Sequence, residues 1–358
     1  MGRTLRALGT AILFLLVALC FAPALVPPFL DRIYYKGPVS GHFDGRRFFN
    51  PEDRNQPPTS INPSRFANRM MNARQERATW PASVPVRPTI PPRRVEGGRM
   101  LATWVGHATV LVQTAGLNIL TDPIWSERAS PFSFVGPKRV RAPGIAFEDL
   151  PKIDLVVVSH NHYDHMDLAA LKRLWLRDRP LIVTSLGNDT ILRRAGIEAV
   201  AMDWSGTKDL GRGNSVTVER VHHWGSRWGT DRNRALWSGF TVATPGGKIF
   251  FAGDTGYGGG LWASEAGKHG PYRFAILPIG AYLPRDVMRG NHVDPDEAVD
   301  TFQRLGAAHA LGMHWGTFQL TFEPIGDPPK RLAAALKARG IPADRFVATD
   351  VGHTIEVP

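Results

Sequence analysis

Cysteine is almost missing from this chain: Cys20 is the only one in 358 residues. The body of the protein therefore has no disulfides, no thiolate metal ligands and no cysteine nucleophile. Leu19 stands before Cys20 where a bacterial lipidation site wants a small residue, so lipidation is not expected. Acidic residues are also short, 32 Asp and Glu against 43 Lys and Arg, for a formal charge of +11. The glycine run in GDTGYGGG lacks the lysine and the spacing of a phosphate-cradling loop.

The excess of positive charge is local. Residues 32 to 100 hold 13 Lys and Arg against 5 Asp and Glu, and residues 27 to 100 hold 12 of the 29 prolines. This stretch reads as a linker or wrapping arm, with one basic helix predicted over 63–80. Such a patch suits an anionic partner, nucleic acid or an acidic membrane surface, or else a solvated face. The membrane is favoured by the 24 uncharged residues between Arg6 and Asp31, which follow Arg3 and Arg6 as a signal peptide or uncleaved anchor would. The expected organisation is a signal or anchor over 1–30, a basic Pro-rich arm over 31–95 and a catalytic-type domain over 96–358.

From residue 100 the texture changes. MLATWVGHATVLVQTAGLNILTDP reads as two strands, a turn at Ala115-Gly116 and a third strand. DLVVVS is a continuous apolar run, as expected of a strand buried on both faces, and DLAALKRLWLR has helical spacing. Strands and helices alternate to the end, which predicts sheets sandwiched between helical layers, with the singular polar residues at strand ends.

Those residues are mostly histidines. VVVSHNHYDHMD places three histidines and two aspartates behind a buried strand. His160 and His162 alternate along extended chain, and Asp164 and His165 sit where the chain enters a helix. Neutral imidazoles with a carboxylate suit a borderline metal such as zinc, and a set too large for one tetrahedral ion suggests two. Without cysteines, an open hydrolytic site fits better than a closed structural one. More such residues follow apolar runs: His222 and His223, Asp254 and His314. Gly253 and Gly256 flank Asp254 and permit a sharp turn. Asp122 could fix a histidine tautomer or simply cap a turn, and His107 is read as structural.

HNHYDH resembles the H-x-H-x-D-H signature of the metallo-β-lactamase superfamily. TWVGHATVLV, ILTDPIWSERASPFSFVGPKRVR, SHNHYDHMD, HHW, FFAGDTGY, PIGAY, HVDPDEAV and HWGTF are similar to the N-acylphosphatidylethanolamine-hydrolysing phospholipase D family. The resemblance covers roughly residues 95 to 350. It implies an α+β, four-layer αββα sandwich. It also implies two Zn2+ per chain, one held by His160, His162 and His223, the other by Asp164, His165 and His314, with Asp254 bridging. In the family motif the ligating histidine precedes a tryptophan, which selects His223 over His222. Tyr163 and His292 match positions around the substrate, where they, with Asp254, would be catalytic.

The activity implied is hydrolysis of N-acylphosphatidylethanolamine to N-acylethanolamine and phosphatidic acid. A soluble ester, lactone or cyclic phosphate is the alternative substrate, and a metal-binding protein without efficient catalysis a third reading. The expected partners are a phospholipid substrate and an anionic membrane surface, with no nucleic acid and a homodimer left open. The expected location is the cell envelope, inner-membrane anchored or exported to the periplasm after signal cleavage.

Overall fold

The computed structural model describes residues 30–55 and 76–358, with positions 10, 12, 14 and 15. The signal or anchor reading, and the basic helix up to residue 75, lie largely outside the described residues. Among the described residues no helix is long and apolar enough to cross a membrane.

Among the described residues, fourteen strands form two seven-stranded sheets. The first contains β1 (Met100–Gly106), β2 (Thr109–Thr114), β3 (Leu117–Thr121), β4 (Leu155–Val158), β5 (Leu181–Ser185), β6 (Val200–Met202) and the late β14 (Thr354–Glu356), in the order β14-β1-β2-β3-β4-β5-β6. The second contains β7 (Thr207–Gly211), β8 (Asn214–Glu219), β9 (Gly239–Thr244), β10 (Gly247–Phe251), β11 (Tyr272–Pro278), β12 (His309–Met313) and β13 (Phe346–Val347), in the order β13-β12-β11-β10-β9-β8-β7. β2 and β3 form a hairpin whose turn, Ala115 and Gly116, has φ of 49° and 74°. Positive φ at both positions matches the right-handed twist of the strands.

Residue alternation explains the layering. Leu155 and Val157 of β4 enter the core between the sheets, while Val156 and Val158 enter a second core. That second core is completed by Leu171 and Leu174 of α1 (Leu168–Asp178) and by Ile191 and Leu192 of α2 (Asn188–Arg194). A strand with apolar contacts on both faces has no room for polar alternation, hence the unbroken valines. On the far side, the second sheet is covered by α3 (Leu261–Gly267) and α5 (Pro295–Leu305), with α6 (Asp327–Ala338) packed against α5. The short α4 (Arg285–Met288) lies between β11 and α5. α5 starts with Pro295 behind an Asp294–Glu297 capping box and stops at Gly306 in the left-handed conformation. The result is the αββα sandwich expected from the sequence.

The arm is packed on this body. Phe43 and Phe48, each 1% exposed, join the core between the sheets, and Phe48 N donates to Asn233 O at 2.8 Å. Further on, Val84 N donates to Val140 O at 2.7 Å and Trp80 Nε1 to Glu323 O at 2.8 Å. Arg94 pairs with Asp154, its Nη2 lying 3.0 Å from Oδ1.

Phe48→Ala is expected to cost about 3–5 kcal/mol, the usual range for emptying a buried phenylalanine site. Ile90→Ala, at a position 77% exposed, should stay within about 0.5 kcal/mol. Urea unfolding midpoints of the two variants check both.

Candidate metal centre

Strand ends from both sheets meet at one edge of the sandwich. β4 leads into His160 and His162, β3 into Asp122, β8 into the connection carrying His223, β10 into Asp254 and β12 into His314. After β4 the chain turns tightly, with His165 N and Met166 N both donating to His162 O at 3.2 and 2.9 Å. Asp167 then caps α1 by accepting from Ala169 N and Ala170 N. At the end of β10, Gly253 has φ of 59°, and a Cβ there would lie 2.5 Å from the Ser159 Cβ. Only glycine lets Asp254 come this close to the β4 loop.

The side chains form two adjoining groups. His160, His162, His223 and Asp254 offer ligand atoms that all lie within 4.8 Å of one another, as do His107, Asp164, His165 and His314. Asp254 stands between them: its Oδ2 is 3.0 Å from His165 Nε2 and 3.9 Å from His223 Nε2, and its Oδ1 is 3.2 Å from His314 Nε2. Asp164 Oδ2 is 3.5 Å from His165 Nε2 and 3.4 Å from His314 Nε2. His292 Nδ1 approaches Asp254 Oδ2 at 3.9 Å.

A layer of hydrogen bonds fixes which nitrogen each ring presents. Asp122, fully buried, accepts from His165 Nδ1 at 2.7 Å, from Ser159 Oγ at 2.5 Å and from Ser159 N at 2.7 Å. It therefore orients a histidine and also caps the turn. Because Ser159 Oγ gives its hydrogen to Asp122, it accepts from His160 Nδ1 at 2.9 Å. His223 Nδ1 donates to Asn291 O at 2.9 Å. His160 and His223 thereby turn Nε2 toward the cluster, where His160 Nε2 lies 2.8 Å from His162 Nδ1.

These donors suit a divalent cation. Nε2 of His162, His165, His223 and His314 and Oδ1 of Asp254 are buried without a hydrogen-bond partner of acceptable geometry. Unpaired buried polar atoms each cost about 1–3 kcal/mol, so a convergent set of them marks a site for a cation rather than ordinary core. Imidazole nitrogens with carboxylate oxygens are the donor set of zinc and its neighbours.

The two groups differ in charge. Burial holds His160 and His223 well below the usual imidazole range and His162 at about 4, so all three are neutral at pH 7. Burial opposes the charged form of His165 and His314 too, but the carboxylates of Asp254 and Asp164 win, lifting His165 well above its usual value and His314 to about 9. The same attractions overcome burial at Asp164 and Asp254 and keep both well below the usual carboxylate range.

Other residues singled out from the sequence take distinct places. His222 turns away from the cluster, its Nε2 3.5 Å from Asp53 Oδ1. His107 is closer to the chemistry than its reading as structural conveyed: its Nε2 lies 2.9 Å from Asp164 Oδ2, and burial holds it neutral at about 3, so it donates to that carboxylate. Tyr163 is half-buried outside both groups, its ring covered by the Arg227 guanidinium at 3.8 Å. Arg227 itself was missed. Its Nη1 donates to Asn161 O at 3.2 Å and Met166 O at 2.8 Å, clamping the β4 loop from a position more than sixty residues away. No local pattern signals that contact.

Two outcomes test this account. Asp122→Asn should weaken metal affinity by about 10–100-fold, the usual effect of losing a carboxylate behind a ligating histidine, read by competition with a chelator. A metal ion entering the Asp164, His165 and His314 group must displace protons from rings whose pKa is raised, so binding there should weaken as pH falls from about 9 and release protons at pH 7. Binding at His160, His162 and His223 should release none. Calorimetry in buffers of different ionisation enthalpy separates the two.

A family model described as beta-lactamase superfamily domain matches residues 117–315. The chain is 38% identical over 269 residues to N-acyl-phosphatidylethanolamine-hydrolyzing phospholipase D 1 of Caenorhabditis elegans, covering 72% of this chain and 76% of that one. It is 32% identical to the mitochondrial N-acyl-phosphatidylethanolamine-hydrolyzing phospholipase D of Saccharomyces cerevisiae over 70% of this chain, and spans 55% of that relative's length. A metallo hydrolase from the archaeon Ignicoccus hospitalis shares the fold, with a TM-score of 0.55 and 22% identity over 73% of this chain and 99% of its own. With the two-sheet sandwich and its histidine and aspartate cluster, these likenesses identify the chain as a metal-dependent hydrolase of the metallo-β-lactamase superfamily, in the family of the N-acyl-phosphatidylethanolamine-hydrolyzing phospholipases D.

Proposed function

We propose that the protein is a dinuclear zinc phosphodiesterase that cleaves N-acylphosphatidylethanolamine to phosphatidic acid and an N-acylethanolamine at the cell envelope. The observation that carries this reading is a groove of about 460 Å3 beside the metal loop. Phe132, Tyr163, Met166, Leu168 and Trp228 give it apolar walls, and Arg128 and Arg227 line it together with Glu127 and with Asp167, whose carboxylate is occupied by backbone N–H groups. Such a lining suits an anionic headgroup attached to acyl chains better than a small soluble ester. The names of the nematode and yeast relatives agree with it. The basic arm and the uncharged run near the N-terminus favour an anionic membrane surface as partner.

His160, His162 and His223 would hold one ion and Asp164, His165 and His314 the other, with Asp254 shared. When bound, such ions act as Lewis acids and lower the pKa of water toward neutrality. The chain's own residues then have defined tasks. Asp254 is fixed by histidines on both sides, so its carboxylate is aimed before substrate arrives. His292, 8% exposed and with its Nδ1 unpaired, is available to hydrogen-bond a phosphoryl oxygen. Tyr163 and Arg227 face the groove, where the guanidinium attracts the phosphodiester. Oxygen from water adds to phosphorus, the bond from phosphorus to the ethanolamine oxygen breaks, and that oxygen leaves with a proton. No side-chain nucleophile is required.

The test is hydrolysis of N-acylphosphatidylethanolamine in mixed micelles by the zinc-loaded protein, beside Asp254→Asn and a lactone substrate. Release of N-acylethanolamine, reduced by about 10²-fold or more in the variant as for other groups that set the electrostatics of a reaction centre, is the expected result. Turnover of the lactone with the lipid untouched would transfer the site to the soluble-ester reading.

A further inference from the structure

Between Glu219 at the end of β8 and Gly239 at the start of β9 lies the long connection that carries His223. Long connections are poor supports for a metal ligand, because the ligand must be held within about 0.5 Å of its working position. The support here comes from the first part of the arm, residues 31–53, several of whose polar side chains bond this connection. Tyr34 Oη donates to Asp231 Oδ2 at 2.7 Å, Arg234 makes two bonds to Asp31 at 2.7 and 2.6 Å, and Arg47 Nη2 donates to Thr230 O at 3.1 Å. Glu52 pairs with Arg220.

One of these contacts reaches the ligand itself. Asn50, 9% exposed, donates from Nδ2 to the carbonyl of His223 at 3.1 Å. The same amide nitrogen reaches Asp53 Oδ2 at 3.0 Å, and the amide oxygen accepts from the buried Trp237 Nε1 at 3.1 Å. Asn50 is placed by its neighbours: Phe48 is in the core with its N bonded to Asn233 O, and Asp53 N bonds back to Asn50 O at 3.0 Å. His223 is thus held at two points, its backbone by Asn50 and its ring by Asn291 O.

We propose that Asn50 is a positioning residue of the metal centre, whose amide locks the His223 backbone so that Nε2 stays aimed at the cluster. The arm is then part of the active site and not only a tether. This rests on the reading of His223 as a metal ligand.

The experiment uses the full chain, with Zn2+ titrated against a competing chelator and the urea midpoint measured in parallel. Asn50→Asp keeps the oxygen that accepts from Trp237 and nearly the same volume but loses the donor to His223, and Asn50→Ala removes both. His42→Ala loosens the arm elsewhere, where His42 bonds Asp203 at 2.7 Å and stacks on Trp204 at 4.5 Å. Both Asn50 variants should weaken one class of Zn2+ site by about 10–100-fold, with kcat restored by excess Zn2+ and KM little changed. His42→Ala should titrate like the wild type. Superposition of both Asn50 titrations on the wild type would overturn the proposal, whatever happens to stability. A His223→Ala titration identical to wild type would instead overturn the metal reading beneath it.

Discussion

A carboxylate 3% exposed is the constraint around which the site is built. Asp254 sits in the interior beside His165, His314, His223 and His292, all within 3.9 Å. A buried charge persists only when paired and hydrogen-bonded. Here the pairing is supplied by imidazoles that are themselves held from behind, His165 by Asp122 and His223 by Asn291 O. Packing these groups is costly to the backbone as well. His107, Asp122 and His314 all have positive φ, at 53°, 29° and 64°. Conformations of this kind cost about 1–3 kcal/mol each and tend to collect where chemistry dictates geometry.

The two-sheet fold tolerates that cost because the strain lies at its rim. Behind the cluster, β4 alternates between two apolar cores and its side chains need no polar partner. At the rim the requirements reverse: turns replace pairing, and buried polar groups need either a specific neighbour or a cation. His107 joins these levels. Its carbonyl accepts His314 N at 3.0 Å while its ring holds Asp164, so the end of one sheet is tied to a residue at the end of the other.

The legibility of the site follows sequence distance. His160, His162, Asp164 and His165 fall within six residues, so their cooperation was visible before any fold was known. His223, Asp254 and His314 were visible in a weaker sense, as polar residues where apolar runs stop. Between His222 and His223 the run VERVHHW is silent; the family resemblance preferred His223, and in the structure the His222 ring lies toward Asp53 of the arm. The arm could be read only as a linker or a wrapping arm, because proline and charge hide the aromatic residues, Phe43 and Phe48, that seat it. Arg227 and Asn50 act through backbone carbonyls, which carry no residue identity, and this is why no motif announced them.

By itself the sequence determined the alternation that makes two cores, the absence of thiol chemistry and the inventory of imidazole and carboxylate donors. These are properties of neighbouring residues and of composition. Tertiary structure alone decided which histidines face one another, which ring nitrogen each presents, and that Asn50 of the arm bonds the carbonyl of His223, 173 residues later. Those facts depend on distances between atoms far apart in the chain, which only the packing of the two sheets and the arm brings within a hydrogen bond.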